Sequence, residues 1–403
     1  MKRIYIYVIT AFALLAGACS DNNLNDDAPV VPATPDIVIP EGAAEGELLI
    51  KFVPEMTEIL DRTMKTRAAG ASTRSGIPST DEVLSILGAY DFERVFPVDS
   101  RTEEKSREAG LHLWYLVRFD KNTDLKEAME RLSGLGEISK LQINPAIQRA
   151  YNPKKKPVPV SEAALNRMRT RAAADNGFKF NDALLPHQWG YINRGAYDFA
   201  TEKAPAIVGS DVNCEEAWEL CTGDPEIIVA VLDEGVMYTH EDLTDNMWVN
   251  EKEQVGSDQD NDGNGYKGDR YGYNFVKDNG NISWQAAEDT GHGTHVAGTI
   301  AAVNGNNIGV CGIAGGNGTK GGVRIMSCQV FDGDGQVRMV NEARAIKYAA
   351  DNGAVILQCS WGYNSAYSNP MLALPQTKNG QKVILWKKKR WTTLFITRVL
   401  LMG

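Results

Sequence analysis

Cysteine is sparse in this chain, six in 403 residues, which excludes a disulfide-dense scaffold. With Cys19 set aside, five remain. Cys214 and Cys221 are expected on one face of a helix with Trp218 between them, their α-carbons about 10 Å apart and beyond disulfide reach. Cys328 and Cys359 fall in expected buried strands and Cys311 in a glycine-rich loop, so structural thiols are the expectation. Long apolar runs are also scarce. The main one, residues 4–18 after Met1-Lys2-Arg3, is too short for a comfortable membrane span and has the form of a signal peptide. Positive charge is in deficit, 42 basic against 52 acidic residues and a net charge of −10, which argues against nonspecific nucleic-acid binding. That balance reverses at one end: no Asp or Glu follows Asp351, and seven basic residues follow Gln376. A hydrophobic content of 43% over 403 residues is enough for two cored domains with linkers.

Two segments carry the chemistry. Gly291-His292-Gly293-Thr294-His295-Val296-Ala297-Gly298-Thr299-Ile300-Ala301-Ala302 places a histidine, flanked by glycines, at the start of a helix. Gly293, Ala297, Gly298 and Ala301 are expected to form its small-residue face. Residues 227–232 are a continuous apolar run suited to a strand buried on both faces, and they lead into Asp233-Glu234-Gly235-Val236. A carboxylate ending a parallel strand lies where open α/β sheets place their chemistry. Together with His240-Glu241-Asp242-Leu243, these segments resemble the aspartate and histidine motifs of the subtilisin-like serine proteases, the subtilases. The resemblance implies acyl transfer with Asp233 as orienting carboxylate and His292 as base. Glu234 departs from the family, which usually carries a small hydroxyl residue there, so the local hydrogen bonding of Asp233 is in question. A zinc site built from His240, His292, His295 and Asp233 needs more assumptions than the subtilase assignment.

Downstream, residues 323–330 read as a buried strand, 340–352 as a helix stopped by Gly353, and 355–362 as a strand running into a turn. Ser360-Trp361-Gly362 resembles the family segment lining the pocket for the residue before the cleaved bond. Gly333-Asp334-Gly335-Gln336 resembles the edge segment, here Gly333 and Gly335, that pairs with extended substrate. After about Pro370 the resemblance stops: neither an oxyanion-hole asparagine in context nor a Gly-Thr-Ser nucleophile turn follows. A reading-frame shift near Pro375 is the expectation, against an ordinary basic or membrane-surface segment. A chain without the nucleophile is expected to be inactive, and the strand at 355–359 is expected to present an unpaired apolar edge.

The remaining organisation follows. Residues 1–18 are the signal peptide, and Leu15-Ala16-Gly17-Ala18-Cys19 resembles a bacterial lipobox with Cys19 lipidated. That implies a membrane-anchored envelope or surface protein, with residues 19–45 as a flexible spacer. Residues 46–151 show a βαββαβ order, including a capping box at Ser79 and a helical face of Val83, Ile86, Leu87 and Tyr90. This is a ferredoxin-like α+β unit that resembles the family's propeptide, an intramolecular partner. Residues 152–180 form a linker and processing region, 181–375 a partial catalytic domain, and 376–403 the aberrant basic tail. The expected fold class is therefore α/β, an incomplete subtilisin-like parallel sheet with helices on both faces behind the small α+β unit. Catalysis requires no cofactor. Asp258, Asp260, Asp262 and Asn264 match the start of a Ca²⁺ loop and make structural calcium the candidate ligand; 306–310 resembles a second calcium loop. The expected partner is a polypeptide substrate, and the non-enzymatic alternative is a surface lipoprotein that binds peptides or inhibits proteases.

Overall fold

Alternating apolar residues in the first half build an antiparallel sheet that buries both of its faces. In the computed structural model, β1 (Ala43–Phe52), β2 (Asp91–Arg94), β3 (Trp114–Arg118) and β4 (Ile138–Pro145) form it in the order β4-β1-β3-β2. The described residues are 37, 39, 42–66, 73–152, 161, 163–164, 166, 177–195, 206–285, 289–333, 337–362 and 371–373. The spacer, the 376–403 tail, the signal peptide and Cys19 lie outside them. On one face Leu48, Ile50, Phe52, Tyr115 and Val117 pack with Leu84 and with Ala128, Met129 and Leu132. These come from α2 (Pro78–Ile86) and α4 (Leu125–Ser133), while α1 (Thr57–Thr66) adds Leu60 and α3 (Glu103–Glu108) lies between β2 and β3. Asp124 caps α4 through the Lys126 and Glu127 amides, as its short carboxylate suits it to do. The strand order and alternation of helices agree with the ferredoxin-like expectation.

Local details differ. The Ser79 capping box does not form: Pro78 opens the helix, and the Ser79 and Thr80 hydroxyls donate to Glu137 at 2.5 and 2.9 Å. Proline suits the first helical position because no intrahelical donor is lost there. The expected helical face is shifted, since Ile86 and Tyr90 are more than half exposed while Thr80, Leu84 and Leu87 are buried. The helix α1 carried no recognised signal.

The other half is a parallel sheet in the order β7-β8-β6-β9, from β6 (Ile228–Glu234), β7 (Gly272–Asn274), β8 (Arg324–Phe331) and β9 (Ala354–Cys359). Alternation along β6 divides its contacts between two layers. Val229 and Val231 face Ala297 and Ala301 of α6 (His292–Ala301), whereas Ala230 and Leu232 face Ala345, Ile346, Tyr348 and Ala349 of α7 (Met339–Asp351). Helices thus cover both faces, as the apolar run in β6 requires.

The two halves meet over α7. Val340 and Ala343 pack on the second face of the antiparallel sheet, against Leu49, Val95, Phe96, Trp114 and Leu116. Asn144 Oδ1 accepts the Val340 amide at 3.1 Å and Arg344 Nε donates to Val95 O at 2.7 Å. An amphipathic pattern fitted to one core cannot explain these contacts; α7 serves two.

At the sheet edge, Val355 and Ile356 are 62% and 51% exposed. Cys359, expected to be buried, is exposed, because no strand among the described residues pairs with the outer side of β9. The helix α5 (Cys214–Leu220) ends before Cys221, which is extended and exposed, so the two cysteines do not share a helical face. Met371–Ala373 pairs antiparallel with β4. Among the described residues no helix is long and apolar enough to cross a membrane.

Candidate active site

β6 delivers Asp233 to the C-terminal edge of the parallel sheet with its side chain fully buried. Across from it, Gly291 enters the left-handed region at φ 77° and starts α6, so His292 points back at the strand. His292 Nδ1 lies 2.9 Å from Asp233 Oδ1 and 3.0 Å from Oδ2. The two residues come together although 59 positions apart. Close approach of α6 to β6 is what permits this, and Gly293 is the reason it can occur: a Cβ there would meet Glu234 O at 2.1 Å. Ala297 and Ala301 continue the contact, each buried. Gly298, assigned to the same small face, has no outside neighbour within 4 Å of a built Cβ and lies off the stripe.

The question raised by Glu234 has a structural answer. Asp233 Oδ1 accepts the Glu234 backbone amide at 2.7 Å, while the Glu234 side chain turns away toward α6. Its Oε2 accepts the Thr290 amide at 2.9 Å and the His292 amide at 3.2 Å. Glu234 therefore satisfies the start of a helix whose own N-cap, Gly291, has no side chain to do so, and its charge complements that helix terminus.

Residues 146–151 lie across this cleft, a placement that sequence reasoning did not foresee. β5 (Gln148–Arg149) pairs antiparallel with β10 (Trp361–Gly362), and the Ala150 amide donates to Ser360 O at 2.9 Å. On its other side the Ile147 amide donates to Val337 O at 3.1 Å, and Ala146 bridges Arg338. Extended chain added between two edges is β-augmentation. Ser360, Trp361 and Gly362 are thus brought to the cleft, with Trp361 Nε1 anchored on Leu232 O at 2.9 Å. Gly333 is there too, its carbonyl accepting from Arg149 Nη2 at 2.9 Å, whereas Gly335 lies outside the described residues. Tyr151 stacks on His292, ring centroids 3.6 Å apart and 12° between planes, with its hydroxyl 3.4 Å from Asp233 Oδ1. Burial pushes the Tyr151 phenol far above its ordinary range, so it stays a neutral donor.

The expected calcium residues divide. Asp258 is exposed, and Asp260 accepts the Gly263, Asn264 and Gly265 amides, which folds the loop and uses its oxygens. Asp262 instead converges with Glu253 and Asp269, their ligand oxygens within 4.8 Å of one another. Asn264 donates to Asp269 at 2.9 Å. Burial, reinforced by the neighbouring carboxylates, pushes the Asp269 carboxyl up to about 6. Three clustered carboxylates under that strain have the oxygen chemistry a Ca²⁺ ion requires. The second loop is organised by Asp242, which accepts from Asn306 Nδ2 at 2.9 Å and the Val310 amide at 2.8 Å. The alternating-acid motif located the loop but missed Glu253 and Asp269, whose approach is tertiary.

Residues 224–388 match the Subtilase family, Peptidase S8, a match that runs past the boundary expected at 375. Subtilisin-like protease 1 of Plasmodium vivax is 32% identical over 214 residues, covering 52% of this chain and 30% of that protein. Kexin of Saccharomyces cerevisiae is 29% identical over 238 residues, covering 59% and 24%. The halolysin-like extracellular serine protease Nep of Natrialba magadii is 33% identical over 151 residues, covering 38% and 23%. The chain thus spans about a quarter to a third of the length of these relatives. Among solved structures, fervidolysin of Fervidobacterium pennivorans aligns at a TM-score of 0.43 with 19% identity, over 82% of this chain and 38% of that one.

Proposed function

The segment 224–388 belongs to the subtilase family, and from that premise we propose that this chain is the precursor form of a subtilisin-like serine endopeptidase, holding two members of the triad. Asp233 accepts the Nδ1 proton of His292, fixes the tautomer and leaves Nε2 free to act as base on a serine hydroxyl. The observation carrying this reading is the pair of His292–Asp233 contacts at 2.9 and 3.0 Å at the mouth of a cleft that holds extended peptide.

Polypeptide is the substrate class, bound by pairing to Ser360, Trp361 and Gly362. The 46–151 unit acts as a propeptide: its antiparallel sheet seats α7, and its trailing residues 146–151 block the cleft. The 403 residues contain no serine in a Gly-Thr-Ser turn, so this chain binds peptide without forming an acyl-enzyme and keeps its propeptide joined. Structural calcium sits at Glu253, Asp262 and Asp269. Cys19 carries lipid and tethers the protein to the cell envelope, in keeping with the extracellular description of the Natrialba relative.

Two measurements test the catalytic reading. A fluorophosphonate probe is expected to leave the purified chain unlabelled; stoichiometric labelling overturns the assignment of an absent nucleophile. Nitrogen-15 NMR of the His292 imidazole is expected to show the Nδ1–H tautomer and to lose it in Asp233→Asn. An Nε2–H tautomer in the parent protein overturns the orienting role of Asp233.

A further inference from the structure

The side chain of Arg149 occupies a pocket that neither the motif reading nor the family assignment explains. Its backbone pairs with Trp361, and its guanidinium enters beside the catalytic strand. Arg149 Nε lies 3.2 Å from Glu234 Oε1, and Nη2 lies 4.0 Å from Asp289 Oδ1. Nη2 also donates to Gly333 O at 2.9 Å, and Cζ stands 4.8 Å from the Phe331 ring centroid. Both acids are buried, their side chains 0% and 1% exposed, and Arg149 itself is only 14% exposed.

The pocket is rigid without its occupant. Glu234 is fixed by the Thr290 and His292 amides, and Asp289 by the Gly333 amide at 2.9 Å. Two buried carboxylates held in place and facing one guanidinium carry a strong preference for a cation, because an uncharged occupant leaves their charge unbalanced in a water-poor site. An aromatic wall and a carbonyl acceptor favour the planar guanidinium over an ammonium.

We propose that Glu234 and Asp289 form a specificity subsite for arginine, so that peptides bound in this cleft carry a basic residue at the position of Arg149, immediately before the residue whose amide meets Ser360 O. The proposal rests on the reading of the cleft as a peptide-binding groove and adds the side chain it selects. It also gives Glu234 a role beyond the start of α6, one that a small hydroxyl residue could not fill.

Hydrogen exchange on the full chain tests it. The Ile147 and Ala150 amides, bonded to Val337 O and Ser360 O, report whether the segment is docked, and the Val231 amide in the core strand reports global unfolding. In the parent protein both segment amides are expected to be protected. Arg149→Gln and Glu234→Gln are each expected to speed their exchange about ten- to hundredfold, the scale of a charged hydrogen-bonded pair. Val231 is expected to be unchanged, and Arg149→Lys to fall between. The double variant is expected to exchange no faster than either single one, since both remove the same interaction. Unprotected segment amides in the parent overturn the groove reading and the subsite with it. Protected amides that Arg149→Gln leaves unchanged overturn the subsite alone. Additive effects in the double variant also overturn it, because Glu234 would then act only through α6.

Discussion

Replacing Gly293 by alanine is expected to damage both the fold and the Asp233–His292 pair, and the structure fixes the scale. The added Cβ would sit 2.1 Å from Glu234 O and 2.9 Å from Glu234 C, where real Cβ contacts stay above 3.0 Å. Backbone opposes backbone, so no rotamer change relieves the overlap, and α6 must move about 1 Å from β6. Overpacking of this kind costs about 1–3 kcal/mol and belongs at the upper end here. The better helix propensity of alanine returns only about 1 kcal/mol. A net loss of about 2 kcal/mol lowers the melting temperature by roughly 4–8 °C for a domain of this size. Gly298→Ala in the same helix meets nothing within 4 Å, so only the propensity gain applies, and its melting temperature should rise by about 2–4 °C. Thermal melts followed by circular dichroism give both values, and the His292 ring resonances report the pair. If Gly293→Ala melts at or above the parent, or Gly298→Ala falls with it, close backbone approach is not what positions the histidine.

Acidification is expected to weaken the propeptide-like unit through His112. Burial, helped by the Arg107 and Arg94 charges, holds its imidazole below the ordinary range, while Nε2 meets Thr57 Oγ1 at 3.2 Å. The folded state therefore binds the proton less well than the unfolded state, and its stability is lost as pH falls below about 6.5 toward the lower folded value. Melting curves from pH 7.5 to 5 should show this decline and His112→Gln should flatten it; equal slopes refute the assignment. Calcium at a hundred times its dissociation constant should stabilise by about 2.7 kcal/mol. Asp262→Asn should abolish that gain and Asp258→Asn should not, and identical melts in calcium and chelator remove the site. Cys19→Ala should move the protein from the membrane to the soluble fraction on ultracentrifugation, and retention in the membrane identifies another anchor.

Much of the functional geometry was legible because local pattern encodes it. An apolar run ending in Asp233 could only be a strand buried on both faces, and glycine on either side of His292 marked a helix start able to approach that strand. The ferredoxin-like order was legible for the same reason: each strand alternates and each helix has one apolar stripe. Where competing signals were close, the reading shifted, as at Pro78, whose place at the first helical turn displaced the Ser79 cap.

The sequence by itself determined the elements, their types and the two residues that meet at the cleft, because period and turn chemistry act over a few neighbouring positions. Tertiary structure alone decided which surfaces those elements share. It laid residues 146–151 across the cleft, set α7 between two sheets, turned Glu234 away from Asp233 toward α6 and Arg149, and drew Glu253 and Asp269 to Asp262. Each of these depends on atoms far apart in the chain, whose meeting is fixed by packing and charge balance in the folded whole and leaves no periodic trace in the residues that take part.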